Sequence, residues 1–223
     1  MIQRMIGRMI QDMIRRGRFI TLEGIEGTGK STHLAMIHDI LVATGIQVMV
    51  TREPGGTALG EALRQIVLDP DYKGMSADAE LLIMFAARAE HLSSLIRPQL
   101  ALGNWVLCDR FTDATYAYQG GGRGVPLERI AALEDWAQGS LRPDLTLILD
   151  APPAQALART RKRGRAADRF EQEDLIFFQR VREAYLLRAR EYPERYRVVD
   201  ASRELNEVQS ELRYLIHDLA ATI

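Results

Sequence analysis

FITLEGIEGTGKSTHL, residues 19–34, decides how the chain folds. Phe19 to Glu23 is a short run of β-branched and large apolar side chains. It leads into a turn with three glycines and then into a segment opening with Lys30-Ser31-Thr32. Gly24 to Ser31 fits the pattern G-x-x-x-x-G-K-[ST], in the strand, loop and helix setting that the pattern requires. Glycines let such a loop wind round phosphates with its N–H groups pointing inward, and the helix that follows adds its positive end. The candidate phosphate-binding residues are therefore Gly24, Ile25, Glu26, Gly27, Thr28, Gly29, Lys30, Ser31 and Thr32. Lys30 would reach the β- and γ-phosphates, and the Ser31 hydroxyl would ligate Mg²⁺. A dinucleotide fingerprint fits poorly, because Lys30-Ser31-Thr32 stands where its third glycine is needed. A guanine switch is also disfavoured: the only asparagines are Asn104 and Asn206, and neither precedes a lysine.

Outward from this loop, short apolar runs alternate with longer helical patterns, which predicts a parallel sheet with helices on both faces. The expected strands are residues 19–23, 47–51, 105–109, 145–150 and 196–200, most of them apolar enough to be buried on both faces. Helices are expected at 30–44, 58–68, 77–102, 127–138, 154–163, 172–191 and 205–219. Breakers stand at Pro54-Gly55-Gly56, Asp69-Pro70, Gly120 to Gly124 and Arg142-Pro143-Asp144. The expectation is a single α/β domain over residues 18–223.

Residues 1–17 differ from the rest. Met-Ile recurs every four residues from Met1 to Met13 with arginines between, an amphipathic pattern without the long apolar block of a secretory signal. A poorly anchored extension, dispensable for chemistry, is the expectation. With 29 Lys and Arg against 30 Asp and Glu, no global basic field argues for a nucleic acid or a membrane as partner. Cys108 is the only cysteine, which suits a reducing cytoplasm.

Arginines suggest where a transferred phosphate would go. A phosphate monoester acceptor is already an anionic nucleophile near neutral pH, so an enzyme acting on one needs cations and orientation more than a base. Arg52, Arg64, Arg88 and Arg110 lie along or beside the second strand, two helices and the end of the third strand. Arg159, Arg161, Lys162, Arg163, Arg165 and Arg169 form a basic run centred on Gly164. That run suits either a solvated helix end, a nucleic-acid patch, or a lid at about residues 159–170 that swings arginines over donor phosphates. Asp109, ending the strand WVLCD, stands where a parallel sheet presents a carboxylate to Mg²⁺ or its waters; a salt bridge with Arg110 is the competing role.

LEGIEGTGKST, TREPGGT (51–57), FAAR (85–88), CDRFTDATYAYQGGGRG (108–124), RPDLTLILD (142–150) and RGRAADRFEQE (163–173), in this order, resemble the bacterial thymidylate kinases. The resemblance implies a P-loop five-stranded parallel sheet with a mobile lid, usually a homodimer, and transfer of the ATP γ-phosphoryl group to dTMP with Mg²⁺. It implies that Lys30 and Arg163 stabilise the transferring group, since the phosphate loop has no arginine of its own; Arg165 is the alternative to Arg163. It implies that Arg52, Arg64 and Arg110 grip the dTMP phosphate and that Glu26 meets the sugar. Arg88, Thr115 and Gln119 would read the thymine edge, and Tyr118 would pack on the deoxyribose. Met84 or Phe85 would cover the base, and Ala114 stands where the family often has serine. The rivals are another pyrimidine monophosphate kinase and a non-catalytic ATP-binding regulator.

Overall fold

The computed structural model describes residues 16–161 and 168–221. Five parallel strands form one sheet: β1 (Phe19–Glu23), β2 (Val48–Arg52), β3 (Trp105–Asp109), β4 (Leu145–Asp150) and β5 (Tyr196–Asp200), in the spatial order β2-β3-β1-β4-β5. The helices around it are α1 (Lys30–Ala43), α2 (Ala58–Leu68), α3 (Ala77–His91), α4 (Arg97–Ala101), α5 (Thr112–Thr115), α6 (Leu127–Gln138), α7 (Pro153–Arg161), α8 (Leu175–Glu191) and α9 (Leu205–Ala221). Every strand ends in a charged residue, Glu23, Arg52, Asp109, Asp150 and Asp200, so the carboxyl edge of the sheet is charged while its body is apolar. Open parallel sheets bind ligands at this edge, where the strand order reverses, and here β1 holds that position.

Burial follows place in the sheet. The inner strand β1 is covered on both faces, as are β3 and β4 apart from their last residues. The edge strands β2 and β5 are not: Val50 and Val198 are exposed, so the expectation that most strands are buried on both faces holds for the three inner strands and not for these two. The N-terminus of β1 is pinned by Asp144, whose Oδ2 accepts the Phe19 N–H at 2.7 Å while Oδ1 accepts from Arg16 at 3.1 Å. Gly17 N–H donates to Leu100 O at 2.8 Å, so the anchored chain already includes Arg16 and Gly17.

Two stretches depart from the helical expectations. Residues 77–102 are not one α-helix: a wider, π-type turn at Leu92–Ile96 separates α3 from α4. Pro98, at the start of α4, has no N–H to give and its ring crowds the carbonyl of Ser94, so the chain widens before it. The second is the glycine run, which the sequence suggested was a break. Instead α5 continues into a π-type helical stretch, Tyr116–Gly122. Its glycines serve approach to a neighbour. A Cβ on Gly121 would stand 2.8 Å from both the Ala184 Cβ and the Arg180 carbonyl of α8, and one on Gly122 would strike the Phe177 ring at 2.5 Å. Helix α8 thus lies directly against the segment that carries Tyr118 and Gln119.

Candidate functional site

The loop after β1 is closed by contacts that only glycine allows. Gly24, Gly27 and Gly29 have φ of 133, 80 and 89°, and a Cβ on Gly27 would lie 1.9 Å from the Ala156 carbonyl. Thr28 Oγ1 donates to Ile25 O at 2.9 Å and staples the turn. Ser31 and Thr32 are exposed in the first turn of α1, which carries no acidic residue there, so nothing local neutralises the helix's positive end. Lys30 Nζ donates to the Gly24 and Ile25 carbonyls at 2.9 and 3.0 Å. Burial, followed by the nearby Arg110 charge, pushes its ammonium pKa down to about 8 against the pull of Asp109, Glu26 and Glu23. A cation made costly in this way favours an arriving polyanion.

The end of β3 supplies the next layer. Arg110 has φ 70°, an uncommon backbone state for a non-glycine residue, and it directs its guanidinium across the loop. Its Nη2 donates to Glu26 Oε1 at 2.8 Å, its Nη1 donates to the Tyr185 hydroxyl at 3.0 Å, and its plane lies 4.8 Å from the Tyr118 ring centroid. The Tyr118 hydroxyl donates to both Glu26 oxygens, at 2.9 and 2.7 Å. Burial works to raise the Glu26 carboxyl, yet Arg110, Lys30 and Tyr118 outweigh it and hold the group below its ordinary value. Beneath lies Glu23, fully buried, accepting from Tyr185 Oη at 2.8 Å and from the Phe111 N–H at 2.7 Å; burial and then Asp113 push it up to about 8. Asp109 Oδ1 is buried and has no hydrogen-bond partner among the described residues.

A cavity opens beside this cluster. Its polar wall contains Glu26, Arg64, Arg110, Tyr118, Gln119 and Asp168, and its apolar wall Pro54, Leu68, Met84, Ala114 and Phe170, with Glu53 behind Pro54 in the chain. Arg64 Nη1 donates to Pro54 O at 2.9 Å, and burial, with the nearby Arg52 and Arg110 charges, lowers its pKa against the pull of Glu61 and Asp109. Arg52 itself is half exposed and is held by Glu61 through two bonds, at 3.2 and 2.7 Å.

Of the substrate residues expected from sequence, Glu26, Arg64, Met84, Arg110, Tyr118 and Gln119 line the cavity. Arg52, Phe85, Arg88 and Thr115 do not. Phe85 packs with Leu81, Tyr116, Val125 and Ile130, and its ring centroid lies 4.8 Å from the Arg88 guanidinium carbon, so of the two candidates for covering a base, Met84 is the one on the wall. Arg88 is fully buried: Nε donates to Glu53 Oε2 at 2.7 Å, Nη2 to Thr115 Oγ1 at 2.9 Å and to Phe111 O at 3.2 Å, and Nη1 has no partner. Arg163, and its alternative Arg165, lie outside the described residues. On either side of them the described chain is anchored. Arg159 donates to Ala201 O at 2.9 Å, and Arg169 pairs with Glu80 at 2.6 Å.

Sequence reasoning missed Glu53, Pro54, Leu68, Asp168 and Phe170 on the wall of this cavity, and Glu80 behind Gln119. Glu53 and Pro54 sat inside the quoted TREPGGT stretch, and Phe170 followed the basic run, so both had a signal. Glu80 had none, being one acidic residue near the start of a helix.

A phosphate loop at the end of the central strand, a carboxylate at the end of the next strand and, beside them, a cavity into which Arg64 and Arg110 reach are the features of a P-loop nucleoside monophosphate kinase. Residues 22–212 match the Thymidylate kinase family model. The thymidylate kinases of Pseudomonas syringae pv. tomato and Thiobacillus denitrificans are 59% and 58% identical over 203 residues, covering 91% of this chain and 96% and 98% of theirs. The crystal structure of thymidylate kinase from Ehrlichia chaffeensis superposes with a TM-score of 0.74 at 32% identity, over 91% of this chain and 99% of that one. The chain belongs to the thymidylate kinase family.

Proposed function

We propose that the protein phosphorylates dTMP to dTDP, with the dTMP phosphate held by Arg64 and Arg110 and its base lying toward Met84, Ala114 and Gln119. The observation that carries this reading is the lining of the cavity: Arg64 and Arg110, the latter bonded to Glu26 of the phosphate loop, share it with Met84, Ala114 and Gln119, whose amide oxygen is unpaired among the described residues. Neither rival fits as well. A regulator needs no acceptor cavity, and the family match is to kinases of this one class.

ATP fits the loop. The positive φ of Gly24, Gly27 and Gly29 lets the loop wind tightly, while Lys30 and the open N-terminus of α1 supply positive charge. A second cavity, bordered by Gly29, Thr32, His33, Arg159, Ser202 and Leu205, would take the nucleoside end. Ser31 and Asp109 would hold Mg²⁺, which keeps most of its shell as water and phosphate oxygens and needs only one or two protein groups. The orphaned buried Oδ1 of Asp109 suits that role, and among the described residues no cluster of three or more metal-ligating side chains competes for the ion. When bound, the ion supplies charge neutralisation at the β- and γ-phosphates.

The chain's own residues then account for transfer without a base. The acceptor phosphate arrives largely ionised, so its oxygen is the nucleophile. Arg64 and Arg110 offset its repulsion from the donor. Glu26, kept ionised by Arg110 and Lys30, gives Arg110 a fixed partner on the loop and places it between donor and acceptor. Lys30 follows the charge that shifts along the transferring group. Arg163, outside the described residues, would add charge to the transferring group as the family resemblance implies. Arg52 would join when Glu61 releases it. Exposed apolar side chains on neighbouring elements, Leu59 and Ile66 on α2 and Leu82 on α3, are consistent with a homodimer, and the unpaired, buried Cys108 suits a cytoplasmic setting.

The test is ADP release from MgATP with dTMP, dUMP, CMP, AMP and GMP as separate acceptors, using the full chain and one lacking residues 1–15. Rapid turnover with dTMP by both is expected. ATP binding with no acceptor-dependent turnover would overturn the reading.

A further inference from the structure

We infer that Glu80 is a specificity-determining positioning residue: it locks the Gln119 amide with its oxygen toward the acceptor cavity, which selects a base with an N–H on its ring edge over cytosine. The inference rests on the cavity being the acceptor site. Gln119 lines that cavity while being 1% exposed. Its Nε2 donates to Glu80 Oε1 at 2.7 Å, and its Oε1 is buried without a partner. A carboxylate only accepts, so the amide nitrogen has to face Glu80; the flipped amide would set two acceptors against each other.

Glu80 is itself fixed. It is fully buried, and Arg169 at 2.6 Å and Arg123 at 3.3 Å hold its Oε2. Arg169 is tied in turn to the end of α2, through Nε to Val67 O at 2.7 Å and through its N–H to Leu68 O at 3.0 Å. The carboxylate therefore has no alternative arrangement in which Gln119 could turn.

Apart from Arg169 Nη2, which faces Glu80 Oε2, the atoms left without a hydrogen-bond partner here among the described residues are one acceptor, Gln119 Oε1 on the cavity wall, and one donor, Nη1 of Arg88, which is buried and does not line the wall. Thymine presents N3–H beside the O4 carbonyl, a donor next to an acceptor, which complements the pair. Cytosine presents a lone pair at N3 beside an amino group, which places acceptor against acceptor and donor against donor. A site built round such a hydrogen bond rejects the mismatched base far more strongly than an apolar wall would. Uracil shares the thymine edge, so the device separates dTMP from dCMP and is silent between dTMP and dUMP.

The test is steady-state kinetics with dTMP, dUMP and dCMP for wild type, Glu80→Gln and Gln119→Leu. Glutamine at 80 keeps the shape but can donate or accept, which frees the Gln119 amide to turn. Expected is a fall in the dTMP:dCMP ratio of kcat/KM on the order of 10- to 100-fold, expressed in acceptor KM, with kcat for dTMP little changed and the dTMP:dUMP ratio preserved. General damage would lower all three acceptors together. An unchanged dTMP:dCMP ratio in folded Glu80→Gln overturns the role of Glu80, and a preference lost only in Gln119→Leu does the same while leaving the acceptor site intact. A wild type with no preference for dTMP over dCMP would instead sink the acceptor-site reading. Should Glu80→Gln not fold, wild-type protein decides. Gln119 Nε2 and Arg123 Nε address the same Glu80 oxygen, at 2.7 and 3.4 Å, so their protons should show a nuclear Overhauser contact; its absence refutes the lock.

Discussion

Nucleotide binding should take up a proton above pH 8, and Lys30 should be the group that takes it. Folding lowers the Lys30 pKa from 10.5 to about 8, first by burial and then by Arg110. The sign follows directly. The folded, nucleotide-free protein holds this proton less firmly than the unfolded chain, so charged Lys30 costs stability at every pH below 8, and the cost fades as pH rises from 8 toward 10.5. At 1.36 kcal/mol per unit the cost is at most about 3 kcal/mol, reduced by the residue's partial exposure. A polyphosphate in the loop replaces two neutral carbonyl partners with anionic oxygens and restores the ordinary affinity for the proton. Binding should then take up about 0.1 proton at pH 7 and about 0.9 at pH 9, and affinity should fall by up to about tenfold per unit above pH 8. Titration calorimetry with ADP in pairs of buffers of unlike ionisation enthalpy reads the uptake directly. Lys30→Met is the control, binding more weakly and with no uptake at pH 9. Equal uptake by Lys30→Met, or none by wild type, would show that Lys30 is not the titrating group.

Three further outcomes follow from particular contacts. Glu53→Gln leaves the Arg88 charge in a place where its side chain and that of Glu53 are 0% and 2% exposed, and should cost about 3–5 kcal/mol in denaturant unfolding; a loss below about 1 kcal/mol would deny the pair its desolvated character. Gly121→Ala, whose Cβ would meet Ala184 and Arg180 at 2.8 Å, should lose about 1–3 kcal/mol and raise the acceptor KM by shifting the segment that bears Tyr118 and Gln119. Unchanged stability there would mean that α8 gives way. Arg64→Ala should raise the KM for dTMP about 10- to 100-fold, as expected for a lost charged contact, with a smaller effect on kcat; a changed KM for ATP alone would move Arg64 out of the acceptor site.

The strands and the phosphate loop were legible because their causes are local. An apolar run with a charged last residue reads as a buried strand wherever it falls in the chain, and three glycines with a lysine make a loop from their own backbone preferences. Edge position is a different kind of fact. QVMVT and YRVVD are as apolar as the inner strands, and only the order of strands in the sheet leaves Val50 and Val198 exposed. The glycine run shows how one composition serves two causes: glycine breaks a helix through its backbone freedom, but it also admits a neighbour, and α8, some sixty residues further along, decides between them.

The site divides in the same way. Cations for an anion can be counted in a sequence, and Arg64 and Arg110 were found so. The groups that aim them cannot, because an aiming group acts through a partner far away in the chain: Glu53 is 35 residues from Arg88, Glu26 is 84 from Arg110, and Glu80 is 39 from Gln119. Each is a carboxylate that looks solvated in the sequence and is partly or wholly withdrawn from water in the fold. A buried carboxylate is costly unless it is paired, so each one found at this edge of the sheet has a cation or amide partner to identify. Following those partners leads to atoms left without one: Asp109 Oδ1, Arg88 Nη1 and Gln119 Oε1. Their chemistry, an anionic oxygen, a donor and an acceptor, corresponds in kind to a metal ion, a base carbonyl and a ring N–H. On the proposed reading, that correspondence would tie acceptor choice to Glu80 much as the loop chemistry would tie phosphate transfer to Lys30.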